Sequence, residues 1–78
     1  IDANVSLYPN PAKNIVTINT DKNILSIEIY HINGSLILRK EKINNKQFIL
    51  NKLNLSSGLY IVDVQLEEGV ITRKLIIE

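Results

Sequence analysis

One histidine and no cysteine occur in this chain of 78 residues, and those two counts remove most of the chemistry it could perform. A hydrolytic triad needs a histidine beside a nucleophilic serine and an orienting acid. His31 instead lies near the end of a strand-like run just before a turn sequence, and no Gly-x-Ser-x-Gly elbow occurs. One imidazole, no thiolate and carboxylates scattered from Asp2 to Glu78 do not make a metal-ligand set. No glycine-rich loop leads into a helix, so a phosphate cradle is missing as well. The residues predict a protein that is not an enzyme and takes no cofactor or metal.

Charge narrows the partners. Nine basic and eight acidic residues give a formal net charge of +1, far from the concentrated field that nucleic acid binding requires. The densest basic stretch, Arg39-Lys40-Glu41-Lys42, carries its own acid and reads as a solvated strand end. No apolar run approaches the ~20 residues of a transmembrane helix. The first residues, Ile1-Asp2-Ala3-Asn4, have neither the basic start nor the apolar centre of an export leader, so a leader would lie upstream. Three Asn-x-Ser sequons, at Asn4, Asn33 and Asn54, fit chance matches in an Asn-rich chain.

The elements that must position these side chains are strands. Apolar and β-branched runs occur at 5–8, 15–20, 25–32, 35–40, 46–50, 59–66 and 70–77, separated by turn residues at Pro9-Asn10-Pro11, Asp21-Lys22-Asn23, Asn33-Gly34, Asn44-Asn45, 54–58 and Glu68-Gly69. About seven short strands in one domain of this length predict an antiparallel β-sandwich or small barrel. Ile, Leu and Val must build the core, because Trp is absent and the only aromatics are three Tyr and one Phe.

Local detail follows from pattern. Leu25, Ile27 and Ile29 should share the core face of one strand. Asn33-Gly34 can hold positive φ at both positions, which predicts a two-residue type I′ hairpin. Neither proline of Tyr8-Pro9-Asn10-Pro11 can donate to a ladder, so this segment should form a stiff corner. Tyr8 should pack its ring on the core with its hydroxyl at the rim. The run 59–66 is apolar on both faces near its start, which predicts a central strand covered on both sides there. The final hairpin invites recognition by its surface and edge, since unpaired edge groups can extend a partner's sheet or pair two copies as a strand-exchanged homodimer.

Taken together, Leu7-Tyr8-Pro9-Asn10-Pro11, Ile29-Tyr30 with Asn33-Gly34, Leu53 to Leu55, Ser57-Gly58-Leu59-Tyr60, Gly69 and Lys74-Leu75-Ile76-Ile77 resemble the C-terminal sorting domains of type IX secretion cargo proteins in Bacteroidetes. The resemblance covers about Val5 to Ile77. It implies an immunoglobulin-like β-sandwich behind an N-terminally attached passenger, with residues 1–4 as a linker remnant. It also implies passage through the periplasm, recognition by the type IX translocon, removal by a surface sortase, and a passenger left at the cell surface or secreted. The sorting motif it implies comprises Tyr8, Pro9, Asn10, Pro11, Gly34, Gly58, Tyr60, Gly69 and Lys74. Within that motif the glycines and Tyr60 are expected to maintain the fold, and Lys74 with the end of the last strand to contact the export machinery. A second reading of the same β-sandwich is a surface adhesive or carbohydrate-binding module, for which Tyr8, Tyr30, Phe48 and Tyr60 are the available stacking residues.

Overall fold

The structure, a computed structural model, describes residues 4–51 and 55–78. It is all-β, with β1 (Val5–Tyr8), β2 (Ile15–His31), β3 (Leu36–Lys40), β4 (Asn45–Asn51), β5 (Gly58–Leu66) and β6 (Gly69–Ile77). Every strand pairing is antiparallel, within one six-stranded sheet. Among the described residues six strands stand where seven were expected, because Asp21-Lys22-Asn23 does not end a strand. β2 runs straight through it and changes partners there.

The first half of β2 lies between β1 and β4, with Thr20 opposite Val5 and Ile18 opposite both Leu7 and Phe48. The second half lies between β3 and β5, with Ile29 opposite both Leu38 and Val62. The register slips between Asn19 and Ile24, so the polar tripeptide is taken up as a bulge. Its polar groups find partners locally. Asn4 N donates to Asp21 Oδ1 at 3.1 Å and Lys22 N to the buried Thr20 Oγ1 at 3.2 Å.

A second irregularity corrects the expected core face. Ile24 opposes Leu66 while Ser26 opposes Gln65, leaving Leu25 as an extra residue. The bulge shifts the alternation by one place. Ile24, Ile27 and Ile29 are therefore fully buried, and Leu25 is only half-buried.

Because β2 serves both groups of strands, the sheet curls over a single core. Val16 and Ile18 from its first half join Ile27, Ile29, Val62, Val64, Leu66 and Leu75 in one cluster. Such aliphatic side chains contribute ~1.5–3 kcal/mol each when fully buried, and here they stand in for the disulfides and tryptophan the chain lacks.

Candidate recognition site

Tyr8-Pro9-Asn10-Pro11 forms a corner with both X-Pro peptides cis, and its function within the fold is carried by Asn10. The Asn10 Nδ2 donates to the Lys74 carbonyl at 2.9 Å, and Ile76 N donates to Asn10 Oδ1 at 3.0 Å. An asparagine amide offers a donor and an acceptor side by side, so it can mimic one residue of a neighbouring strand. The backbone continues the same work. Ala12 N donates to the Ile76 carbonyl and Glu78 N to the Ala12 carbonyl, each at 2.8 Å, making a parallel bridge between Ala12 and Ile77. The outer edge of β6 from Lys74 onward is thus closed by the corner, and the expectation that this edge could add to another sheet is corrected there.

Tyr8 itself departs from expectation. Alternation along β1 turns Val5 and Leu7 inward and leaves Tyr8 49% exposed. Tyr60, by contrast, is buried as expected. Its hydroxyl donates to the Ser56 carbonyl at 2.7 Å, and its ring meets His31 edge-on, centroids 5.8 Å apart. His31 Nδ1 also accepts from Asn33 N at 3.2 Å, so the lone histidine is occupied by packing and turn bonding.

The turn after β2 differs from the expected type I′. Gly34 has φ +96°, whereas Asn33 is not among the residues with positive φ. Gly34 N donates to the His31 carbonyl and His31 N to the Ser35 carbonyl, the pattern of a three-residue loop closed by a glycine at positive φ. The reason lies in the Asn33 side chain, whose Oδ1 accepts from Ser35 N at 2.9 Å. That local bond gives Asn33 a use that does not need the left-handed conformation. Gly58 (φ +150°) and Gly69 (φ +147°) stand at the starts of β5 and β6.

Register shows which motif residues are brought together. Gly58 opposes Ile77, Tyr60 opposes both His31 and Leu75, and Asn10 holds Lys74. One end of the fold therefore gathers the Pro9–Pro11 corner, Gly34, Gly58, Tyr60 and Lys74. Gly69, opposite Leu66, belongs to the other end, where Lys22 Nζ lies 3.7 Å from Glu68 Oε1. β1 enters at that other end, its Val5 beside Thr20.

On the outer face of the second half of the sheet, Arg39 Nε lies 3.5 Å from Glu28 Oε2 and 3.1 Å from Glu41 Oε1, and Thr72 Oγ1 donates to Asp63 Oδ1 at 2.7 Å. Partial desolvation, followed by the neighbouring Glu28 carboxylate, pushes the Tyr30 phenol above its ordinary value. β5 is central, between β2 and β6, but Leu59 and Ile61 on its outer face remain half-buried; they are not covered as expected. Sequence reasoning also missed the Asn10 clamp. Its only trace in the sequence is an amide side chain between two residues that cannot donate.

No group of three or more His, Cys, Asp or Glu able to hold a metal occurs among the described residues. Comparison with curated proteins finds no match. Over residues 6–78 the chain matches the family described as Secretion system C-terminal sorting domain. With nearly its whole length matched and the corner, turns and last strand arranged in one all-β unit, the chain belongs to that family, the C-terminal sorting signals of type IX secretion.

Proposed function

We propose that this domain is the export address of a passenger fused to its N-terminal side. The passenger crosses the periplasm with the domain folded behind it, is handed to the outer-membrane translocon, and loses the domain to a surface sortase. The domain performs no chemistry in this sequence of events and is the piece cut away.

The observation that supports this reading is the polarity of the fold. A chain arriving at Val5 enters beside Thr20, where Arg73 Nε donates to the Val5 carbonyl at 3.3 Å, whereas the corner, Gly34 and Gly58 gather at the opposite end. A passenger attached upstream leaves that end uncovered for a receptor that must serve many different passengers.

The test fuses residues 1–78 behind a periplasm-targeted fluorescent protein in a type IX-competent host. The reporter is expected at the cell surface or in the medium, shortened by the mass of the domain. A reporter retained in the periplasm overturns the sorting role, and an exported reporter of full length overturns removal by the sortase.

A further inference from the structure

Alternation should make the outward face of an antiparallel sheet polar, yet one row across this sheet is largely apolar. Leu36 opposes Tyr30, Tyr30 opposes Ile61, and Ile61 opposes Lys74. Directly opposed residues share a face. Here it is the outer face, because the adjoining Ile29, Val62 and Leu75 are fully buried. Leu59 opposes Ile76 in the next row, and Leu36 and Ile76 are 51% and 44% exposed.

The row on the other side is polar and self-contained, with Glu28 near Arg39 and Asp63 bonded to Thr72. Lys74 differs. Its carbonyl is held by Asn10, but its ammonium takes part in no ion pair among the described residues. A lone cation on a fixed backbone therefore stands at the end of an apolar row.

We propose that this stripe, Leu36-Tyr30-Ile61-Lys74 with Leu59 and Ile76, docks on a protein partner whose apolar patch carries a carboxylate placed to meet Lys74. The inference deepens the sorting role and rests on it. Any surface that covers the apolar row also desolvates the ammonium, which is costly unless a counter-charge is supplied. An anionic bilayer fits poorly, since the neighbouring outer row carries Glu28 and Asp63, and its one cation, Arg39, is already paired with Glu28. A second copy fits poorly too, because a two-fold pairing brings the same stripe to itself and the stripe contains no acid.

The test uses passenger fusions carrying the whole domain in a type IX-competent host. Lys74→Glu is expected to cut the exported fraction at least about tenfold and leave folded fusion in the periplasm. Lys74→Arg should retain export, as should Lys46→Glu on β4, which makes the same charge change elsewhere. Leu36→Thr, on an edge strand, tests the apolar part with little risk to folding and should lower export severalfold. Export of Lys74→Glu and Leu36→Thr at the unmodified level overturns the docking surface while leaving the sorting role intact. Failure of the unmodified fusion to leave the periplasm overturns both. A dimer of the purified fusion that Lys74→Glu dissociates would assign the stripe to a second copy and overturn the proposal.

Discussion

Asn10 and Lys74 lie 64 residues apart in sequence, yet the Asn10 side-chain amide donates to the Lys74 carbonyl at 2.9 Å. With the return bond from Ile76 N, one side chain occupies two adjacent positions on the open edge of the last strand. Edge strands invite unwanted pairing, and proteins cover or interrupt them. Here the proline-flanked corner is the cover, which joins the two most distant parts of the motif into one structure.

Removing that clamp should cost stability in a graded way. Asn10→Ala loses both bonds at a solvent-exposed site, and at ~0.5–1.5 kcal/mol per net hydrogen bond we expect a loss near the bottom of the combined range, about 1 kcal/mol. In a domain of this size that lowers the melting temperature by roughly 4–8 °C. Asn10→Asp keeps the acceptor for Ile76 but sets a carboxylate against the Lys74 carbonyl, so it should melt no higher than Asn10→Ala at neutral pH. An Asn10→Asp protein that melts like the unmodified one would remove the donation to Lys74 from the stability argument.

Gly34 offers a purely conformational test. A Cβ built there meets nothing within 4 Å, yet φ is +96°. Substitution cost therefore reports backbone preference alone. Gly34→Val should destabilise by at least about 1 kcal/mol, and Gly34→Asn by less, since asparagine tolerates positive φ better than a β-branched residue does. Equal chemical-denaturation midpoints for the two variants would contradict this account.

How far the sequence discloses the fold depends on how local the determinant is. β1, β5 and β6 agree with their apolar runs to within a residue, because alternation and flanking turn residues act over short range. Asp21-Lys22-Asn23 reads as a turn, but β1 and β5 pair on either side of it and carry β2 through. Leu25 reads as core until a bulge, fixed by its pairing with β5, displaces it. The motif residues of the site are visible as residue types, whereas the clamp between Asn10 and β6 is a contact across nearly the whole chain, which no local pattern encodes. The stripe is intermediate: Leu59 and Ile61 are visibly apolar on a second face, but only the register with Tyr30 and Lys74 shows that the face is outward and continuous.

Tyr30 predicts a signature at alkaline pH. Its phenol is held above the ordinary tyrosine value of 10.0, first by desolvation and then by Glu28. A group whose folded pKa exceeds its unfolded one contributes stability that is complete below the unfolded value and is lost as pH rises through the folded one. Stability should thus fall above about pH 10, and less so in Tyr30→Phe. Ultraviolet titration of tyrosinate should show Tyr30→Phe removing an ionisation above the ordinary value. A spectrum in which the lost tyrosine ionises at or below that value would refute the assigned environment.

Lys74 and Leu75 are neighbours on β6 with opposite orientation, and comparing them separates direct reading of the last strand from mere completion of the sheet. Leu75 is fully buried opposite Tyr60. Leu75→Ala should therefore cost about 2–5 kcal/mol, a large share of the stability of a small domain, and leave a periplasmic fusion that is degraded or aggregated. Lys74→Glu alters only an exposed side chain and should leave the melting temperature nearly unchanged. If the last strand is read directly, Lys74→Glu blocks export of a folded protein while Leu75→Ala blocks it by unfolding, a difference that protease resistance of the periplasmic pool reports. If both variants are lost only to the extent that they unfold, β6 acts through the fold and the outward face of Lys74 is not what the translocon recognises.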